Sequence, residues 1–150
     1  MAGLYFAFDV GVMPGLEGSD DRTFVTVMQD VNRAIENGLF GLVFVGAFLA
    51  TGVAATLHHR IGHHRIARLV WAALGCYSGM LLVTTRVNIP LNTRLARAGP
   101  ASTTARPEDL RDLRERFERP WRNANTARTV LCSIAFGLLC RALVLHGRAR

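Results

Sequence analysis

Residues 38–57 read GLFGLVFVGAFLATGVAATL, from Gly38 to Leu57, twenty residues without a charge. At about 1.5 Å of rise per residue, a helix of this length matches the roughly 30 Å hydrocarbon core of a bilayer. Its apolar residues run on continuously instead of forming one stripe, so no side of the helix is built for water. The stretch predicts a membrane-spanning helix, and the rest of the chain is read from it outwards. Gly41, Gly46, Ala50 and Ala54 recur at about helical spacing and predict close packing on a neighbour.

On its C-terminal side comes His58-His59-Arg60-Ile61-Gly62-His63-His64-Arg65. His59 and His63 have the i, i+4 spacing that can place two imidazoles on one metal ion. No carboxylate or cysteine stands near them and Gly62 weakens a helix there, so the loop reads first as a solvated anchor at the headgroups. A second span follows over about 69–86, with Gly75 and Gly79 at packing spacing. It runs into Thr84–Leu95, TTRVNIPLNTRL. Pro90 disfavours a helical Ile89, which predicts a break or kink there, with Asn88 and Asn92 serving the backbone groups it frees.

On the N-terminal side, Ser19-Asp20-Asp21 predicts a helix cap, and Phe24, Val27, Met28, Val31 and Ile35 form one apolar stripe over about 20–36. That helix is expected along the membrane surface or extending the bundle into water, with Gln29 and Asn32 on or beside its polar side. Residues 1–14 are apolar apart from Asp9 and too short to span alone. They read as the later part of a first membrane helix whose natural start lies further upstream.

Ala98–Arg106 is linker-like, and Pro107-Glu108-Asp109 opens a helix over about 107–119. Arg111/Glu115, Asp112/Arg116 and Glu115/Arg119 are i, i+4 pairs on it. Pro120 is expected to end it before a last span over about 122–145. Trp121, Asn125, Arg128 and Cys132 fall at i, i+4, i+7 and i+11, so one helix face carries an aromatic ring, an amide and a guanidinium in a row. In an even-numbered bundle this face, Asn88-Pro90-Asn92 and Asn32 meet at the same membrane side.

Composition agrees with a single integral membrane domain of all-α class: a four-helix bundle with amphipathic helices in its first and third connections. Half the residues are hydrophobic and mean hydropathy is +0.21. All eighteen basic side chains are arginines and the net charge is +7. They cluster beside apolar runs without zinc-finger spacing or interleaved aromatics, which points to lipid headgroups as the partner and not to nucleic acid. Cys76, Cys132 and Cys140 lie in apolar runs without C-x-x-C spacing and read as small buried residues. The glycine-bearing helix faces make a homodimer a further expectation. No Ser/His/Asp set, dinucleotide fingerprint or phosphate loop is present in the sequence.

M-P-G-L at Met13–Leu16, M-Q-x-x-N at Met28–Asn32, N-x-P-L-N at Asn88–Asn92 and F-x-x-x-W-x-x-x-N-x-x-R at Phe117–Arg128 occur in that order. Together they resemble the anthrone-oxygenase-like family of small four-helix membrane proteins. The resemblance implies cofactor-independent oxygenation of an anthrone-like, polyketide-derived phenol. Chemically, an oxygenase of that kind would have Arg128 and Arg86 at the substrate anion, Asn88, Asn92 and Asn125 as amide donors, Trp121 against the ring plane, and Asn32 and Pro90 in the binding wall. Asp9, a carboxylate in an apolar run, is its candidate base.

The same residues also fit a non-catalytic membrane scaffold or small-molecule-binding bundle of the cell membrane, with Arg128 neutralising Asp9 and Trp121 marking the interface. An ion-coupled carrier would need more intramembrane charges than Asp9 and Arg141. Sequencing the N-terminus of the natural protein is expected to find residues ahead of Met1, and an unextended Met1 would overturn the upstream start.

Overall fold

The computed structural model describes residues 1–101 and 106–148, and among these every regular element is helical. The first helical column is α1 (Ala2–Ala7), a π-helical turn π1 (Phe8–Val12) and α2 (Met13–Glu17). Then come α3 (Asp21–Ile35) and α4 (Gly38–Arg60). The next column is continuous over 34 residues and comprises α5 (His64–Val83), a second π-helical turn π2 (Thr84–Asn88) and α6 (Ile89–Arg97). The last helix, α7 (Pro107–Arg148), is 42 residues long. Gly38–Arg60, His64–Arg97 and Pro107–Arg148 are each long and apolar enough to cross a membrane, as an integral membrane protein requires.

Local chemistry sets the boundaries. Asp20 caps α3 by accepting from the Thr23 hydroxyl (2.7 Å) and the Thr23 backbone N–H (3.0 Å), and these bonds hold its carboxyl below the usual aspartate value. Asn37 joins two helices: its Nδ2 donates to the Ala34 carbonyl at the end of α3, and its Oδ1 accepts from Phe40 N–H at the start of α4. Gly62, with φ of +80°, supplies the left-handed residue between α4 and α5.

Several sequence expectations change. Pro90 does not break its helix: Ile89 stays helical, at φ −60° and ψ −49°. Proline removes one N–H and crowds the preceding turn, and that turn is the widened π2, where Ile89 N–H reaches back five residues to the Thr84 carbonyl. Pro14 follows π1 in the same way, with Met13 N–H bonded to Phe8. Pro120 likewise leaves α7 unbroken, so 107–119 and 122–145 are one helix and the third connection has no separate helix. Arg116 and Pro120 are both exposed, so water can serve the carbonyl that proline leaves unbonded, while Phe117 and Trp121 pack on the opposite face. Finally, of the small residues expected to pack, Ala54 does lie against the helices around Ile66, Val70 and Ala142, while Ala50 is exposed. A Cβ at Gly41 or Gly46 would meet nothing within 4 Å, and the close contacts fall at Gly52, near Leu74, and at fully buried Ala55. Of the cysteines only Cys132 is buried, and Cys140 is exposed. The linker reading of 98–106 falls partly outside the described residues.

Packing centres on α7, which touches α1, α3 and α5, while α4 rests on α5. The part of α7 before the membrane stretch holds α3 through Phe24, Met28 and Phe117. Arg114 is the clasp there. It donates to Glu118 (2.7 Å), to Asp21 (3.1 Å) and to the carbonyls of Ser19 (2.8 Å), Glu17 (3.2 Å) and Leu16 (3.3 Å), with its guanidinium over the Phe24 ring. Of the expected i, i+4 pairs, Arg111–Glu115 forms at 2.9 Å. Because the Arg114 side chain is only 13% exposed, Arg114→Ala strands several carbonyls and two carboxylates. It is expected to cost about 3 kcal/mol, read as a lowered unfolding midpoint in detergent; an unchanged midpoint would show that water serves these groups equally well.

Candidate functional site

Polar residues from four columns converge on one cavity of about 230 Å³. Tyr5 and Phe8 come from the first column, Asn32 and Glu36 from α3 and its end, and Phe40 and Phe44 from α4. Thr84, Asn88 and Asn92 come from the π2–α6 stretch, and Trp121, Asn125 and Arg128 from one face of α7. Both π turns contribute here, π1 with Phe8 and π2 with Thr84 and Asn88. Such turns often mark functional positions because the extra residue re-aims side chains.

One polar chain stiffens the wall. Asn125, with no exposed surface, donates its Nδ2 to the Tyr5 carbonyl and to Asp9 Oδ1, each at 2.8 Å. Its Oδ1 accepts from Arg128 Nη2 at 2.8 Å. Arg128 lies 4.4 Å from the centroid of the Tyr5 ring and 5.5 Å from that of Trp121, as a cation on aromatic faces does. Trp121 donates its indole N–H to Asn92 Oδ1 at 2.9 Å and packs between Phe8 and Phe117.

Other polar atoms face the cavity without a protein partner. Asn88 is 1% exposed, and neither its Nδ2 nor its Oδ1 has a hydrogen bond. Asn32 Nδ2 and Arg128 Nε are also buried and unpaired. A buried amide with both ends unsatisfied costs on the order of 1–3 kcal/mol per group, so its persistence points to a ligand or water as the missing partner. A larger, more open groove of about 620 Å³ runs between α3 and α6 with Asp30, Arg33 and Arg97 on its rim. It is an open surface groove that shares Asn32, Glu36 and Asn92 with the cavity.

The sequence grouping is thus brought together in large part: Asn32, Asn88, Asn92, Trp121, Asn125 and Arg128 all line the cavity. Arg86 is exposed, and neither it nor Pro90 is among the lining residues. Asp9 is held behind the wall by Asn125, by Thr126 (3.1 Å) and by Thr129 (2.5 Å). Arg128 does not neutralise it directly, since Asn125 stands between them. Nor do Asn88 and Asn92 serve freed backbone: one is unpaired and the other holds Trp121. Sequence reasoning missed Tyr5, Phe8, Glu36 and the α4 phenylalanines; only Tyr5, one turn before Asp9 on the same face, had a signal.

A family model described as anthrone oxygenase matches residues 29–138. The chain belongs to that family. The match runs from α3 through most of α7 and includes every polar cavity residue except those of the first column. No curated protein and no solved structure shows a significant match.

Asn125→Leu would leave the Asp9 carboxylate, the Tyr5 carbonyl and the Arg128 guanidinium each short of a bond. It is expected to cost about 3 kcal/mol and to lower the yield of folded protein, measured by thermal unfolding and size-exclusion recovery. A neutral result would mean that the first column and α7 are held by apolar packing alone.

Proposed function

We propose that the chain is a multi-pass protein of the cell membrane whose cavity binds a planar phenolic polycycle, and that it oxygenates an anthrone-like substrate with O2 and without a cofactor. The observation that carries this reading is Asn88, an amide with both ends free in an aromatic-walled cavity beside a buried cation. Family membership supplies the reaction class, and the net change is anthrone plus O2 to anthraquinone plus water.

Deprotonation at the methylene between the two aryl rings gives an anion delocalised onto the ring oxygen. The anion passes one electron to O2, and the resulting radical pair joins as a carbon–oxygen bond. The peroxide takes a proton, and loss of the second hydrogen with O–O cleavage leaves the new carbonyl and releases water. The barrier lies in forming the anion, so donors aimed at its oxygen contribute most. On this reading Asn88 donates to that oxygen and the Arg128 charge stabilises it. Trp121 holds the ring plane, fixed in turn by Asn92. Asn32 closes the opposite wall. Asp9 and Asn125 position Arg128, and Glu36, the carboxylate among the lining residues, takes the proton in place of Asp9. Arg86 meets lipid headgroups, and Pro90 shapes π2 instead of touching substrate.

The second reading is a binding bundle without chemistry. It is favoured by the engagement of Asp9 behind the wall, which leaves the cavity with a carboxylate only at Glu36, an exposed residue. O2 uptake by detergent-solubilised protein, with and without an anthrone, separates the two. The oxygenase predicts substrate-dependent uptake that falls about 10²–10³-fold in Asn88→Ala, the usual cost of one oxyanion donor. Its unfolding midpoint should be unchanged or raised, since Asn88 bonds to nothing in the protein. Saturable binding of the anthrone without uptake would establish the second reading, and an Asn88→Ala variant that loses folded protein would overturn both.

A further inference from the structure

The far end of the bundle holds a feature that the cavity does not use. His58 closes α4, His63 follows the Gly62 turn, and His146 comes from the last turns of α7, 83 positions beyond His63 in the chain. One ring nitrogen from each lies within 4.8 Å of the other two. The ring centroids are 5.3 Å apart for His58–His146, 5.9 Å for His58–His63 and 6.4 Å for His63–His146. The His63 N–H bonded to the His58 carbonyl at 3.0 Å fixes two of the rings relative to each other, and the left-handed Gly62 makes that turn possible. All three Nδ1 atoms are buried and none has a hydrogen-bond partner.

Three imidazoles, each with a buried Nδ1 that has no partner, converge from three helix ends, and each offers a ring nitrogen whose lone pair can be shared with one Lewis acid. We infer that His58, His63 and His146 form a binding site for a divalent transition-metal ion of the zinc, copper and nickel group. Neutral imidazole is a borderline ligand suited to these ions, and the three donors leave a fourth position for water. With metal–nitrogen distances of about 2.0–2.1 Å, tetrahedral ligands stand roughly 3.3 Å apart. The nitrogens therefore close in by up to about 1.5 Å, within reach of side-chain rotation. The site is not the i, i+4 pair of the sequence: His59 faces His64 instead, at 5.6 Å, and both are exposed.

The ion would tie the turn between α4 and α5 to the end of α7. Along α4, His58 lies about 21 Å from Phe44 in the cavity wall, and along α7, His146 lies about 27 Å from Arg128. It is a clasp at the opposite end and takes no part in chemistry at the cavity.

The test uses the full chain, purified through a tag without histidine, stripped with chelator and titrated with Zn²⁺ alone. One ion per chain and a raised unfolding midpoint are expected, and Co²⁺ in its place should show the visible absorption of nitrogen ligation. His146→Ala should weaken binding at least tenfold, the lower bound for losing even a hydrogen-bond partner of a ligand, and abolish the rise in midpoint. His58→Gln should do the same if alanine at 146 frays the helix end. His64→Ala should bind as the parent does. Binding that survives in the His58, His63 and His146 variants, loss in His64→Ala, or no binding by the parent chain would each overturn the site.

Discussion

A carboxylate on a helix that packs against other helices must find its hydrogen bonds inside the protein, and Asp9 finds them on α7. Asn125, Thr126 and Thr129 supply three donors, and Asn125 also takes the Tyr5 carbonyl. The two columns are thereby joined at one depth and in one rotation. Everything at the cavity follows from that registration: Arg128 is aimed by the other end of the same amide, Trp121 sits one turn earlier on the same face, and Phe8 is brought against it. Unpaired, the carboxylate would carry a large desolvation cost in a bilayer. Paired as it is, it fixes where the polar wall begins.

Much of this was legible in the chain. The uncharged run from Gly38 to Leu57 announced a membrane helix, because length and continuity are properties of the sequence itself. The spacing of Trp121, Asn125, Arg128 and Cys132 announced one face of α7, because helical periodicity is equally local, and all four are buried together. What could not be read was whether a proline would stop a helix. Pro90 and Pro120 have the same local preference as any proline, but one follows a widened turn and the other is outweighed by Phe117 and Trp121 packing on both sides of it. Tertiary context decides such cases, and it has no signature in the residues next to the proline.

The site divides in the same way. Asn88, Asn92 and Arg128 stood out as polar groups where a membrane helix should have none, which is a compositional signal. Their pairing carried none. Nothing in the sequence said that Asn92 would hold Trp121 while Asn88, one turn away, would bond to nothing. Arg114 shows the same limit: one arginine among ten between Arg86 and Arg128 gathers Glu118 on its own helix and four partners between Leu16 and Asp21.

The sparse attachment of α4 bears on how the molecule is assembled. Leu39, Leu42, Val45, Leu49 and Val53 all face outward, and only 6% of its most apolar window is buried against the protein. Such a helix asks nothing of its neighbours and is at home in lipid as soon as it is made. The first column and α7 are different: each carries a group, Asp9 or Arg128, that would be opposed by about 2.5–3.5 kcal/mol if it entered a bilayer alone. Neither group has its hydrogen bonds until Asn125 has joined the two. Translation delivers the first column before α4 and α7 last of all, so the N-terminal residues must wait through the synthesis of nearly the whole chain for the partner that completes them.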